Sequence, residues 1–200
     1  PALPIRMALH AAQQRLEAAA HVQADLAADG WEIIEAEQDF EYDLGGLTVH
    51  GKIDRIDRHR DSGALRVVDY KTTDGSKKPT DSHLAAQRPD TPEFAQINVA
   101  GKAKRWTDLQ LPLYAVLGVA PSETPPEPAY FNLPRAVTET ALLPWPTFDA
   151  ELAASAFECA EAIAEKIRAA VFWPPAERVD YDDFESLFHD GVEGWKEMES

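Results

Sequence analysis

The sequence predicts an α/β fold in which helices flank a sheet that opens with three antiparallel strands. Three observations predict it. Residues 51–57 and 65–72 alternate apolar and polar side chains through β-branched positions, the pattern of half-buried strands. Turn chemistry stands on either side of the first run: Gly45-Gly46 before it and Asp61-Ser62-Gly63 after it, each suited to close a hairpin. Stretches of strong helix formers lie outside the patterned region, at 4–28 and from about 149 to 170.

Residues 4–28 are rich in Ala, Gln, Leu and Glu with no internal Gly or Pro. Leu9, Leu16, Val22 and Leu26 give an interrupted apolar stripe, and Gly30 after Asp29 is a fitting stop. One long helix is expected, intact or broken in the middle, with His10 and His21 as ordinary surface histidines. Residues 31–44 follow as a strand with Ile33, Ile34, Phe40 and Tyr42 as its apolar members, and period two puts Glu35 and Glu37 on one face. Gly45-Gly46 turns the chain into a second strand over 47–57, and residues 65–72 form a third. In that third strand Val67, Asp69 and Lys71 share one face, Val68 and Tyr70 the other. Asp54 of the second strand comes alongside Asp69 and Lys71.

Beyond Thr72 the pattern dissolves. Residues 73–107 contain Pro79, Pro89 and Pro92 and no sustained period, which predicts a long loop or flap, with 94–99 as a short extra strand and Gly101-Lys102 as a turn. Thr107-Asp-Leu-Gln110 has capping-box spacing, so a helix is expected from there through Leu117, with Gln110 and Tyr114 on one face and Pro112 in the first turn. Residues 129–133 read as a strand that 140–143 can pair. Thr147 or Asp149 caps a last helix to about Ala170, burying Leu152, Phe157, Ala160, Ile163, Ile167 and Val171, with Cys159 as a packing residue; Trp173-Pro-Pro ends it. The tail at 181–188 is acidic with aromatic anchors, a short docked helix in preference to a partner-binding segment. Neither an internal repeat nor a second domain is visible.

Two hundred residues at 44% hydrophobic content suit one compact domain over 1–200, large enough to bury roughly 70% of its unfolded surface. No run approaches the roughly 20 apolar residues of a membrane span. A single cysteine, Cys159, rules out an internal disulfide and fits a reducing compartment, so a cytoplasmic protein is expected. It also leaves no iron–sulfur cluster ligated by four thiolates. The net charge is −16, from 19 Lys and Arg against 35 Asp and Glu. Polyanion binding should therefore be weak and salt-sensitive. Lys77, Lys78, Arg88, Lys102, Lys104 and Arg105 concentrate the cations just after the third strand. No Gly-rich phosphate loop or Ser-His-Asp order supports a small-molecule enzyme.

Two carboxylates and an amine converging on one sheet carry chemistry. Carboxylate oxygens are hard ligands that suit Mg²⁺, which keeps waters and accepts phosphate oxygens. A lysine beside such an ion orients the attacking water and offsets charge building on phosphorus. For Asp-x-Lys alone, an exposed ion pair on a strand is the plainer reading. The wider series is specific: Gly51-x-x-Asp54-Arg55-x-Asp57, then Val67-Val-Asp-Tyr-Lys-Thr72, then Gln110-Leu-Pro-Leu-Tyr114. In this order the motifs closely resemble the RecB-like branch of the PD-(D/E)XK nuclease superfamily, over roughly residues 31–118.

That resemblance implies a restriction-endonuclease-like core, a mixed sheet flanked by helices. It implies Asp54, Asp69 and Lys71 as the catalytic core, with Mg²⁺ or Mn²⁺ held by Asp54, Asp69 and the Tyr70 carbonyl. Glu37, in Glu37-Gln-Asp-Phe40, matches the spacing of a further acidic residue and is preferred to Glu35, beside the simpler reading of a solvated strand carboxylate. Gln110 and Tyr114 match the supporting helical element. The branch also implies DNA as substrate, a helicase region or partner protein, and a place in DNA repair or recombination. Its early-helix Gly-x-x-x-His is not matched by His10 or His21, so that residue is absent or upstream. With Pro1 at the start, a C-terminal fragment of a larger protein is expected. The expected function is metal-dependent DNA cleavage, exonucleolytic rather than sequence-specific, with the basic stretch after the third strand as a DNA-side flap or a partly disordered insertion. The alternative is a nuclease-fold DNA-end or protein-docking module with little activity alone.

Overall fold

The computed structural model describes residues 3–120 and 124–172. The chain divides into two compact units, Pro1–Ala164 and Glu165–Ser200. Of the second unit, residues 165–172 are described: a helix end closed by hydrogen bonds from Ala170 N to Ile167 O and from Val171 N to Lys166 O. Trp173-Pro-Pro and the acidic stretch at 181–188 lie outside the described residues.

The first unit opens with helix α1 (Leu3–Ala28), unbroken, and Gly30 at φ +95° turns the chain out of it. Strands β1 (Trp31–Leu44), β2 (Leu47–His59) and β3 (Leu65–Lys71) then form the expected antiparallel meander. Gly45 and Gly46, at φ +61° and +85°, make the two-residue turn that joins Leu44 to its partner Leu47.

Residues 73–107 are not a loop. They form α2 (Pro79–His83), β4 (Leu84–Ala86), a short 3₁₀ turn, β5 (Gln96–Val99) and β6 (Lys102–Trp106). The three strands make a separate antiparallel sheet in the order β4-β6-β5. The expected short strand at 94–99 is β5; β4 and β6, of three and five residues, are too short to display a period. Ala100 and Gly101, at φ +50° and +75°, form the tight β5–β6 turn. Pairing also separates the basic residues. Lys102 and Lys104 stand opposite Val99 and Ile97, while Arg105 stands opposite Gln96 and Ala85 on the other face. The cations do not form one DNA-facing surface on this sheet.

Helix α3 (Gln110–Leu117) starts later than the capping box predicts: the Gln110 N–H is received by Asp108 Oδ1 at 2.7 Å, while the Thr107 hydroxyl donates to Ser82 O. Strand β7 (Glu127–Asn132) pairs parallel with β3, β8 (Ala141–Pro144) pairs antiparallel with β7, and α4 (Ala150–Arg168) closes the described fold. Asp149 Oδ1 caps α4 by accepting the Leu152 N–H at 2.9 Å. The main sheet is mixed, in the order β1-β2-β3-β7-β8.

Both faces of this sheet are covered. On one, Ile53, Ile56, Val67 and Tyr130 pack with Leu111 and Ala115 of α3, Leu152, Ala156 and Cys159 of α4, and Leu84 and Trp106 of the small sheet. On the other, Val68, Ala129 and Phe131 meet Ala19, Val22 and Leu26 of α1. The apolar stripe predicted for α1 therefore works only in its second half; Leu9 and Leu16 are exposed. In α4 the inward face is lined mainly by small residues, and Ile163 and Ile167 are exposed instead of buried. Ala156, Cys159, Ala160 and Ala164 are the buried positions beside Leu152, so size and not only hydrophobicity decides which face of α4 turns inward. Cys159 is buried, and burial pushes its thiol up to about 11, which fits packing and not reactivity.

Candidate active site

The site lies where β2 and β3 run side by side. Ile53 and Ile56 belong to one apolar cluster although strict alternation would send them to opposite faces. The pleat therefore slips between them, where Asp54 stands. Asp54 Oδ2 accepts the Tyr70 N–H at 2.9 Å, which locks the carboxylate of β2 to the backbone of β3. Arg55 and Asp57 of the same run turn toward α1. Arg55 grips Asp57 through two hydrogen bonds of 2.6 and 2.7 Å and reaches Gln23 Oε1 on α1 at 2.6 Å. Half of the Gly-x-x-Asp-Arg-x-Asp motif is thus a buried brace, and half serves the site. Gly51 contributes by lacking a side chain, since a Cβ there would enter the Phe40 ring.

Asp69 is 7% exposed, and Lys71 Nζ lies 2.7 Å from its Oδ2. Burial pushes the Asp69 carboxyl above its ordinary value; Lys71 pulls it down, and the neighbouring charge of Asp54 adds to the rise. Lys71 Nζ also stands over the ring of Tyr130, 4.7 Å from its centre. Asp54, Asp69 and Lys71 are brought together as expected.

Glu37 is placed differently. Ala36 pairs with Arg55 and Gln38 with Ile53, which sets Glu37 across from Asp54. Its backbone is left-handed, φ +54°, and its exposed carboxylate goes to Lys52 Nζ at 3.2 Å. Among the described residues, no three His, Cys, Asp or Glu side chains gather closely enough to hold a metal ion, so Glu37 does not join the two aspartates as a third ligand. Gln110 and Tyr114 do meet: Gln110 Nε2 donates to Tyr114 Oη at 2.9 Å, and Tyr114 packs edge-on against Phe40. Tyr114 thereby ties α3 to β1. His10 and His21 are exposed on α1.

His83 of α2, fully buried, is a neighbour that sequence reasoning missed. Its Nδ1 lies 2.9 Å from the Asp108 carbonyl oxygen, an atom that can only accept, so Nδ1 carries a proton. Its Nε2 meets Tyr130 Oη at 2.7 Å. Burial pushes the Tyr130 hydroxyl up to about 12; with the ring proton on Nδ1, His83 Nε2 is the acceptor for the Tyr130 O–H. His83 Nδ1 also stands 3.5 Å from Asp108 Oδ1, and this side-chain contact holds the Asp108 carboxyl below the ordinary carboxylate range, against its partial desolvation and with help from the Gln110 N–H. Nothing marks His83 in the sequence beyond a lone imidazole in an unpatterned stretch; its partners lie 25 and 47 residues away.

Two strand aspartates, a lysine two residues beyond the second, and a mixed sheet with helices on both faces form one arrangement. The family model of the PD-(D/E)XK nuclease superfamily matches residues 2–198. The chain belongs to that superfamily. Its mixed sheet and flanking helices are those of a restriction-endonuclease-like fold. Nucleases of this superfamily are hydrolases that act on DNA and generally use divalent metal ions such as Mg²⁺. No curated protein matches the chain. Among the described residues no helix is long and apolar enough to cross a membrane.

The residues of this nuclease fit such an ion. Asp69 Oδ2 is buried with no hydrogen bond in regular geometry, only the Lys71 ion pair, and the Asp54 carboxylate stands beside it. Two carboxylates with too little positive charge between them suit a hard divalent cation that keeps its remaining ligands as water.

Proposed function

We propose that the chain is a metal-dependent deoxyribonuclease of the RecB-like branch, acting as an exonuclease in DNA repair or recombination. The observation that carries the reading is the convergence of Asp54, Asp69 and Lys71 on two paired strands, with Lys71 Nζ 2.7 Å from Asp69. In this reading Asp54, Asp69 and the Tyr70 carbonyl hold Mg²⁺ or Mn²⁺. The bound ion supplies Lewis acidity toward the scissile phosphate and its water. Asp54 is fixed for that task by the Tyr70 N–H. Lys71 orients the attacking water and stabilises charge developing on the phosphate oxygens. Gln110 and Tyr114 offer polar atoms to the DNA backbone. Glu37, bound to Lys52, serves as an outer acidic residue. The three motifs in order support the RecB-like assignment, and with it a helicase region or partner protein that presents the DNA.

The net charge of −16 favours a second reading, a DNA-end or protein-docking module with little hydrolysis of its own. One experiment separates the two. The intact protein and Lys71→Ala are incubated with linear and circular DNA, single- and double-stranded, with Mg²⁺ or Mn²⁺. Nucleotide release from linear DNA alone, absent in Lys71→Ala and in EDTA, is expected. Metal binding with no cleavage of any substrate would establish the docking module instead.

A further inference from the structure

Lys71 is held from two sides, and only one of them is Asp69. Its ammonium also sits over the face of the Tyr130 ring, which attracts a cation through its quadrupole. That ring is itself anchored. Tyr130 is 1% exposed, its hydroxyl is fixed by His83 Nε2, and His83 is fixed by the Asp108 carbonyl and stacked on Trp145 at an interplanar angle of 14°. A phenylalanine and a leucine would fill the same space without burying two polar groups that must be satisfied. The polar chain therefore has a use beyond closing the core. A lysine stem is flexible, and an aspartate shared with a divalent cation attracts an ammonium less strongly. The ring face is what remains to hold Lys71 in that state.

We propose that Tyr130 and His83 are positioning residues for Lys71: the Asp108 carbonyl fixes His83, His83 fixes the Tyr130 ring, and the ring face keeps the ammonium in place when a divalent cation takes up the Asp69 carboxylate. The proposal rests on Lys71 acting in phosphodiester hydrolysis.

The test has an arm that does not depend on activity. The NMR shift of the Lys71 ε-methylene protons reports the ring current of Tyr130, and is read with and without Mg²⁺. Turnover on linear DNA and Mn²⁺ affinity by electron paramagnetic resonance are measured on the same samples. Tyr130→Leu is expected to abolish the upfield shift and to lower turnover by about tenfold to a hundredfold at saturating metal, with Mn²⁺ affinity unchanged. Tyr130→Phe keeps the ring and volume, loses the anchor, and should fall between intact protein and Tyr130→Leu. It also carries the test should Tyr130→Leu fail to fold. His83→Leu cuts the same link, so the double variant His83→Leu/Tyr130→Phe should be no slower than the slower single. An unmoved Lys71 resonance in Tyr130→Leu, full turnover in Tyr130→Phe, multiplying losses in the double variant, or metal affinity falling in step with turnover would each overturn the proposal. If the intact protein cleaves no DNA, the nuclease reading fails, while the NMR arm still decides whether the ring holds Lys71.

Discussion

Asp69 sits where its surroundings oppose its charge. Its carboxyl is raised above 3.8 by burial and by Asp54, with Lys71 only partly offsetting them. A group that binds its proton more tightly when folded stabilises the fold below the ordinary value, and that stability is lost as pH rises through the raised one. At neutral pH the ionised residue thus weakens the fold. Asp69→Asn is expected to melt higher than the intact protein at neutral pH in EDTA, with the gap closing in acid. Added Mn²⁺ should raise the melting temperature of the intact protein alone. A lower melting temperature for Asp69→Asn in EDTA would count against this account. At this scale the sequence was legible where spacing sets geometry: Asp54, Asp69 and Lys71 follow from two strands and one turn. His83 was not legible, because residues from α2, β7 and the segment before α3 meet only through the tertiary fold. The left-handed turn of Glu37 is equally invisible to a rule that assumes regular alternation.

Among the elements, β2 runs through a crowded course at Gly51. Phe40 from β1 crosses over Gly51 while Tyr114 from α3 closes in beside it. Gly51→Ala is expected to cost about 1–3 kcal/mol in denaturant unfolding, through overpacking. Gly75, with open space around it and no left-handed φ, is the control: Gly75→Ala should stay within about 0.5 kcal/mol. The main strands and α1, α3 and α4 were legible because each is long enough to repeat its pattern or carries a plain stop. Of the β4-β6-β5 sheet only β5 and the turn after it were legible; β4 and β6 were not, since each is short and draws its apolar partners from the larger core. The start of α3 was displaced for a local reason: Asp108 is better placed than Thr107 to receive the Gln110 N–H, and the Thr107 hydroxyl is engaged by Ser82.

For the whole molecule, charge is the dominant property. With 35 acidic and 19 basic residues, and with Lys102 and Lys104 facing away from Arg105, the chain has little with which to neutralise a phosphate backbone. Lys71→Ala, which on the proposed mechanism does not cleave its substrate, is expected to bind linear DNA more tightly with Ca²⁺ than in EDTA at matched ionic strength. Its affinity should fall as monovalent salt rises, as a filter-binding titration would reveal. Equal affinity with and without the divalent ion would show that binding does not pass through the acidic centre.

The central position of β3 also sets a timetable. On one side it joins β2 across a short hairpin; on the other its Arg66 meets Glu127, 61 residues later. Local contacts form before distant ones because less chain entropy is lost in closing them. Pulsed hydrogen exchange during refolding should therefore protect the β2–β3 amides before those linking β3 to β7. On the proposed roles of Lys71 and Tyr130, a chain emerging from synthesis would assemble its acidic hairpin first and complete the support of Lys71 only when the distant strand carrying Tyr130 docks.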